Sequence, residues 1–228
     1  MKLTIFGATG GTGTCLVEQA VAAGHEVTAV VRDPGRLAAA PRLAAAGSYA
    51  AAGRADPDQP LLRIVTADVM DPALIGPAVA GADAVLSAIG PHGTGPTTVS
   101  EHSARSIIGA MRASSVRRLI TVSGSVVTDA GEGPFMRLLA KPLARRTALR
   151  HVCADMRRGE DEVRGSGLDW TIMRPPRLTG GPATGTYRTA LDRNLPRGYT
   201  VSRADLAACM LTLITDAATV RRHVGIAY

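Results

Sequence analysis

Aromatic residues and lysines are scarce in this 228-residue chain. Aromatic residues make up 3% of the sequence, and the lysines are Lys2 and Lys141, so arginine carries nearly all of the positive charge. Proteins that bind nucleic acid usually present a basic surface interleaved with aromatic side chains. The formal net charge of +7 therefore does not predict a nucleic-acid partner. Arginines on solvated helix faces, some of them near an anionic cofactor, explain the charge better.

Cysteines are also few, and none forms a C-x-x-C pair. Three widely spaced cysteines, Cys15, Cys153 and Cys209, predict neither a disulfide framework nor a zinc site. No apolar run approaches the roughly 20 residues that cross a bilayer, and the first residues lack the pattern of a signal peptide. We therefore expect a cytoplasmic protein that holds no metal and has no membrane partner.

Short apolar runs alternate with helical patterns along most of the chain, which predicts βαβ units and a parallel sheet. Because such crossovers are right-handed, we expect a doubly wound, mostly parallel α/β sheet of the Rossmann type in a single domain, residues 1–228. The predicted strands are residues 2–7, 26–32, 62–67, 82–89, 118–123 and 169–174, and the predicted helices are residues 12–23, 98–113 and 155–166.

Two kinds of region depart from this alternation. Residues 38–60 are rich in Ala, Gly and Pro, which predicts a short helix and a mobile surface insertion at 40–60. Residues 124–150 and 175–200 follow predicted strands of the sheet. We expect them to form a small substrate-side region over the carboxyl ends of the strands, where ligands of such sheets bind.

A glycine-rich motif, Gly7-Ala8-Thr9-Gly10-Gly11-Thr12-Gly13, stands between the first strand and the first helix. In this pattern the first glycine permits a tight turn, the second lets the backbone approach a pyrophosphate, and the third lets the helix pack on the sheet. The N–H groups and the dipole of the helix N-terminus then face the phosphates. The residues predicted to bind a nicotinamide dinucleotide here are Gly7, Thr9, Gly10, Gly11, Thr12 and Gly13.

The end of the second strand distinguishes the two nicotinamide cofactors. A carboxylate at this point binds the ribose 2′-hydroxyl of NAD, whereas an arginine accommodates the 2′-phosphate of NADP. Arg32 closes the strand, and Arg36 adds a second positive charge. Asp33 has the spacing of an NAD carboxylate, but Pro34 indicates that the chain already turns away. We therefore predict NADP(H), with a solvated strand-end charge as the alternative role of Arg32.

Segments spread over most of the chain outside residues 40–60 resemble the NAD(P)-binding, NmrA-like family of atypical short-chain dehydrogenases/reductases. The likeness extends to its biliverdin reductase B and flavin reductase branch. The matching segments are KLTIFGATGGTG, VTAVVRDP, VTADVMDP, ADAVLSAIG, LITVSG, GSGLDWTIMRPPRLTGG and TGTYRTAL.

This resemblance implies positions for further site residues. Asp68 and Val69 border the adenine in the implied arrangement. The remaining implied residues are Ala88, Ile89 and Gly90 on the ribose and nicotinamide side, Ser123 at the active-site end of the fifth strand, and Pro175, Pro176 and Arg177 as walls of the nicotinamide and substrate pocket.

The sequence lacks the Tyr-x-x-x-Lys pair through which most short-chain dehydrogenases exchange a proton. The tyrosines are Tyr49, Tyr187, Tyr199 and Tyr228, and none has a lysine four residues later. Redox chemistry of alcohols or ketones by that mechanism is therefore not expected. Flavins, quinones and linear tetrapyrroles need less acid catalysis, because they accept hydride into a conjugated system while the protein orients the two rings.

Three residues are candidates for placing or protonating such an acceptor. Ser123 can hydrogen-bond a carbonyl or the carboxamide, Arg177 can pair with an anionic acceptor, and Tyr187 can line the pocket. Each also has a structural alternative: a strand-end serine, a surface arginine in a Pro/Gly loop and a half-buried strand tyrosine. His92 and His151 are weaker candidates for a proton donor.

Three functions remain open at this point. The first is an NADPH-dependent reductase of a small-molecule conjugated acceptor, working as a monomer or small homo-oligomer. The second is a non-catalytic NADP(H) sensor, as some NmrA-like proteins are thought to be, and the third is a non-redox isomerase on the same fold. The chain has no G-x-S-x-G motif after a strand, so hydrolase chemistry is not expected.

Overall fold

The structure, a computed structural model, describes residues 1–38, 61–133, 138, 141–147 and 149–228. The mobile insertion predicted at 40–60 and parts of the region 124–150 lie outside these residues. Within the described chain the strands are β1 (Lys2–Phe6), β2 (Glu26–Val31), β3 (Leu62–Thr66), β4 (Ala84–Ser87), β5 (Arg118–Val122), β6 (Asp169–Arg174), β7 (Arg177–Thr179), β8 (Arg188–Leu191), β9 (Thr200–Ser202) and β10 (Arg222–Ala227).

Eight of these strands form one sheet in the order β3-β2-β1-β4-β5-β6-β10-β8. Neighbouring strands run parallel except β10 and β8, which are antiparallel. The Rossmann-type, mostly parallel sheet predicted from the sequence is confirmed. The strand order reverses between β1 and β4, and ligands of doubly wound sheets bind outside the carboxyl ends of the strands at this switch point.

Helices cover both faces of the sheet. They are α1 (Gly11–Ala22), α2 (Pro34–Ala38), α3 (Pro72–Val79), α4 (Val99–Ala113), α5 (Lys141–Arg146), α6 (Arg150–Arg164) and α7 (Arg203–Thr212). Buried side chains of α1 and α7 pack on one face, and those of α3, α4 and α6 pack on the other. Because the central strands are buried on both faces, they read as continuous apolar runs rather than alternating ones.

Five helices differ from the sequence-based expectation: α6 begins earlier than predicted, and α2, α3, α5 and α7 were not predicted. Helix α6 begins at Arg150 instead of 155, because Val152 and Cys153 are already buried in its first turn. Its N-cap, Leu149, makes no side-chain capping bond, so the sequence carries no start signal there. The unpredicted α3 does carry one: the Asp71 carboxylate accepts a hydrogen bond from the Ala73 N–H, and a proline follows the cap.

The C-terminal part of the chain contains further elements that the sequence pattern did not reveal. Strands β7 and β9 form a separate parallel pair beside the main sheet. Strand β10 extends the main sheet beyond β6, and β8 adds an antiparallel edge. These strands have three to six residues and lack the alternation with helices that marks the first half of the chain.

Candidate functional site

The glycine loop of residues 7–13 has no room for side chains at two of its glycines. A Cβ on Gly13 would lie 2.0 Å from the Gly7 carbonyl oxygen, and a Cβ on Gly7 would lie 2.9 Å from the carbonyl carbon of Ala88. Gly7 also has a φ of +75°, which disfavours any residue with a side chain. The loop therefore holds β1, the start of α1 and the end of β4 in close contact.

Helix α1 begins without a side-chain cap and without an acidic residue in its first turn. The Gly10 N–H closes the loop by donating to the Gly7 carbonyl at 2.9 Å, and the first intrahelical bond runs from the Thr14 N–H to the Gly10 carbonyl at 2.8 Å. The N–H groups of residues 11–13 precede that bond, so they have no partner within the helix. Gly11 is exposed, and these amides, with the positive end of the helix dipole, suit a diphosphate.

The end of β2 carries two exposed arginines, Arg32 and Arg36. Among the described residues neither forms an ion pair. The carboxylate of Asp33, which has the spacing of an NAD-binding acid, accepts a hydrogen bond from the Gly35 N–H at 3.0 Å. Asp33 thus stabilises the turn into α2, and the two arginines carry unpaired charges in the segment that follows β2.

The segments after β3 and β4 carry further residues predicted to contact the cofactor; β4 lies directly beside β1 in the sheet, and β3 lies beyond β2 on the other side. Asp68 is exposed and its carboxylate accepts a hydrogen bond from the Met70 N–H at 3.0 Å. Val69 packs against the buried side chains of the α4 face. The half-buried residues Ala88, Ile89 and Gly90 directly follow β4, whose Ser87 is in register with Phe6 of β1. The structure therefore brings the predicted nicotinamide-side residues next to the glycine loop.

Ser123 directly follows β5, at the carboxyl edge of the sheet. Its N–H donates to the Met173 carbonyl at 2.8 Å, while its Oγ is buried and has no hydrogen-bond partner among the described residues. The side chain lines a cavity of about 30 Å³ with Met156 and Glu160 of α6, which is room for a water molecule. An unpaired buried hydroxyl is costly, so this Oγ is a group that a ligand or a water can satisfy.

The loop after β6 lies beside the loop after β5. The Ser125 N–H donates to the Pro175 carbonyl at 2.8 Å, and Pro175 is buried while Pro176 is half-buried. Arg177 begins β7 and is exposed. Its N–H donates to the Tyr199 carbonyl at 3.3 Å, which leaves the guanidinium at the surface near this edge.

The other candidate residues lie apart from this edge or lack a fixed position there. The Tyr187 hydroxyl contacts Cys209 and Thr212 in the second half of α7. Burial, followed by Cys209, raises its pKa, and the hydrogen bond with Thr212 only partly opposes this shift. A raised pKa is the opposite of what a tyrosine acid or base near neutral pH requires. His92 is exposed in the loop after β4, and His151 Nε2 accepts a hydrogen bond from its neighbour Arg150 at 2.9 Å.

Sequence reasoning missed two arginines near the carboxyl edge. Arg174, the last residue of β6, donates from Nε to Glu160 Oε1 at 2.9 Å and makes a second bond to Oε2. Arg203, the first residue of α7, lies against Gly11. The available signal for α7 was the Ser202-x-x-Asp205 spacing, since a serine or threonine with an acidic residue three positions later marks a helix start.

These features define a Rossmann-type dinucleotide-binding protein. A family model described as NAD(P)H-binding matches residues 7–217, so the chain belongs to that NAD(P)H-binding family. The membership predicted from the glycine motif and the following segments is confirmed. In the part of the chain described by the structure, no helix is long and apolar enough to span a membrane.

Three comparisons show proteins to which this chain is similar. The chain is 24% identical over 216 residues to the uncharacterised protein YwnB of Bacillus subtilis, covering 92% of this chain and 91% of YwnB. A short-chain dehydrogenase/reductase of Veillonella parvula, solved in complex with NADP, has a TM-score of 0.78 at 17% identity, covering 100% and 94% of the two chains. ChuY of Escherichia coli O157:H7, described as an anaerobillin reductase, has a TM-score of 0.69 at 24% identity, covering 99% and 97%.

Proposed function

We propose that this protein is an NADPH-dependent reductase that transfers hydride to a conjugated acceptor such as a flavin, a quinone or a linear tetrapyrrole. The observation that carries the proposal is the composition of the carboxyl edge. A glycine loop suited to a diphosphate lies against the end of β4, and we assign the nicotinamide side to Ile89, to Pro175 and to the unpaired hydroxyl of Ser123 along the same edge of the sheet. Such a site orients two rings and supplies little acid catalysis.

The preference for NADPH over NADH rests on the arginines at the end of β2. Arg32 and Arg36 are exposed and have no carboxylate partner in the described chain, whereas the Asp33 carboxylate is bonded to the Gly35 N–H. A guanidinium binds a phosphate through strong, charge-assisted hydrogen bonds. The 2′-phosphate of NADPH is the anion that these two side chains fit.

The acceptor is inferred from what the site lacks and from what it offers. The sequence has no Tyr-x-x-x-Lys pair, so a reaction that needs a strong proton donor is disfavoured. NADPH supplies the hydride when bound, and a conjugated acceptor takes its proton from solvent. In this proposal Ser123 hydrogen-bonds a carbonyl of the acceptor or the carboxamide, and Arg177 attracts a negatively charged acceptor. The fold shared with ChuY, an anaerobillin reductase, supports this class.

A turnover assay tests the proposal. Purified protein is mixed with NADPH and with FMN, menadione, biliverdin or dichlorophenolindophenol, and the nicotinamide absorbance is followed. We expect turnover with at least one acceptor and a roughly tenfold lower kcat in Ser123→Ala, the effect of one lost hydrogen bond. Arg177→Ala should raise the KM for anionic FMN about tenfold and leave that for neutral menadione unchanged. Arg63→Ala, an exposed arginine of β3, is the charge-matched control.

A second candidate function is a non-catalytic NADP(H) sensor, which the missing Tyr-x-x-x-Lys pair favours. The same assay separates the two. Tight NADPH binding without turnover across the acceptor panel would contradict the reductase and support the sensor.

A further inference from the structure

The Arg203 side chain lies on the glycine loop, although the two are 192 residues apart in the sequence. A Cβ placed on Gly11 would lie 2.6 Å from Cδ, 2.9 Å from Nε and 3.7 Å from Cζ of Arg203. The arginine therefore occupies the space that a side chain at residue 11 would fill. Because Gly11 is exposed and Arg203 only half-buried, the guanidinium stands at the open edge of the loop.

The charge at this position is electrostatically unfavourable in the protein alone. Arg203 is the first residue of α7 and lies against the first residue of α1, so a cation stands at the positive ends of two helix dipoles. Helix α1 has no acidic residue in its first turn. Asp205 is acidic but bonds to other groups, and no carboxylate pairs with Arg203 in the described part of the chain. An anion between these groups would remove the repulsion.

The start of α7 is fixed rigidly enough to hold the arginine there. The buried Asp205 carboxylate accepts hydrogen bonds from the Thr184 hydroxyl at 2.9 Å, from the Ser202 hydroxyl at 3.0 Å and from the Tyr228 hydroxyl at 2.6 Å. Gln19 of α1 donates from Nε2 to the Ala204 carbonyl at 3.0 Å. These bonds tie the first turn of α7 to α1, to the loop before β8 and to the C-terminal residue.

We infer that Arg203 is a diphosphate-binding residue of the nicotinamide dinucleotide site, completing from α7 the cradle that the backbone amides of residues 11–13 form. The inference rests on the proposed NADPH binding and adds to it a residue from the far end of the chain. A guanidinium donates in a planar fork that matches two phosphate oxygens. The diphosphate is common to both nicotinamide cofactors, whereas Arg32 and Arg36 face the group that distinguishes them.

The test is a comparison of dissociation constants for NADPH and NADH, measured by fluorescence titration of the wild type and of single variants. Arg203→Met should weaken the binding of both cofactors by the same factor, about tenfold or more for a lost charged hydrogen bond. Arg203→Lys keeps the charge without the fork and should lose less. Arg63→Met removes an exposed arginine of β3 and should bind both cofactors as the wild type does.

Each remaining outcome overturns the inference. Wild-type affinity in a folded Arg203→Met protein would show that the guanidinium does not contact the cofactor. A loss confined to NADPH would place Arg203 at the 2′-phosphate instead. Should Arg203→Met not fold, unchanged binding in Arg203→Lys would contradict the fork geometry. A wild type that binds neither cofactor would refute the proposed function itself, and this result is distinct from the others.

Discussion

Two groups of charged residues on opposite faces of the sheet differ in how their charges are compensated. On the α6 face, Glu160 and Arg174 are buried and paired, with side chains 6% and 11% exposed, and His223 Nε2 lies 3.6 Å from the same carboxylate. Near the glycine loop, Arg32 and Arg203 have no carboxylate partner in the described chain. A buried charge depends on its partner, because losing that partner is strongly destabilising, whereas an uncompensated cation beside a helix N-terminus suits an anionic ligand.

Breaking the buried pair should give the largest loss of stability. Arg174→Met leaves the Glu160 carboxylate buried without its partner, which costs about 4 kcal/mol of unfolding free energy. Urea denaturation followed by circular dichroism measures this. Arg105→Met removes the ion pairs with Glu101 and Glu162, in which the arginine side chain is 57% exposed, and it should cost less than about 1 kcal/mol. Equal losses in the two variants would contradict the distinction between compensated and solvated pairs.

Arg174→Met should also make the free energy of unfolding depend on pH, through His223. Burial and then the neighbouring Arg174 lower the pKa of His223 below 6.5, so its neutral form is favoured in the folded protein. Removing Arg174 removes one of these causes and raises the pKa of His223. The imidazolium then replaces the lost cation beside Glu160, and the penalty of Arg174→Met should be smaller at about pH 5.5 than at about pH 8. An equal or larger penalty at the lower pH would refute this role.

Adding a side chain inside the glycine loop should have the next largest effect on stability. Gly13→Ala places a Cβ 2.0 Å from the Gly7 carbonyl oxygen, and relief of that overlap requires backbone movement that costs about 3 kcal/mol. NADPH binding should be lost with it. Gly109→Ala, in an exposed turn of α4 where the new Cβ is 3.8 Å from Pro72, is the matched control and should be neutral or stabilising. A stable Gly13→Ala that binds NADPH would contradict the loop geometry.

The hydrogen-bond network of Asp205 extends the comparison, because here a buried charge is compensated by hydrogen bonds alone. Its loss should have an effect of intermediate size on stability. Burial raises the pKa of Asp205, but the bonds from Tyr228, Gly185 and Thr184 outweigh it and lower the pKa to about 2. Since the folded pKa is depressed, the stabilisation is present above about pH 4 and is lost as the pH falls towards 2. Asp205→Asn should cost about 2 kcal/mol at neutral pH, measured by urea denaturation.

The pH dependence of the Asp205→Asn effect provides an internal control. The deficit of this variant relative to the wild type should shrink as the pH falls below about 4, because the Asp205 carboxylate of the unfolded wild type is then protonated and folding has to release that proton. A deficit that stays constant between neutral pH and pH 3 would contradict the assignment of this carboxylate as the source of the stabilisation.

The smallest expected effect concerns cofactor choice. Arg32→Met should weaken NADPH binding about tenfold, the typical effect of one charge-assisted hydrogen bond, and leave NADH binding unchanged. Fluorescence titration with the two cofactors measures the ratio. Unchanged NADPH affinity in both Arg32→Met and Arg36→Met would contradict the assignment of these arginines as the cause of a preference for NADPH over NADH.

The sequence sufficed for the first six strands and for the glycine loop. Five of those strands lie inside the sheet and read as apolar runs, the edge strand β3 still alternates with helices, and the loop joins strand to helix in register. It did not suffice for contacts between distant segments. Nothing local to Arg203 indicates that α7 packs beside α1, and nothing local to Tyr187 indicates that its hydroxyl meets Cys209 and Thr212. The start of helix α6 was predicted too far along the chain, because its first turn lacks a capping side chain.

The most direct test of the central claim is a calorimetric titration of the wild-type protein with NADPH and with NADH. The account predicts that NADPH binds about tenfold more tightly than NADH, since one extra phosphate meets guanidinium groups at the end of β2. Absence of binding heat with both cofactors, in reduced and oxidised form, would contradict it.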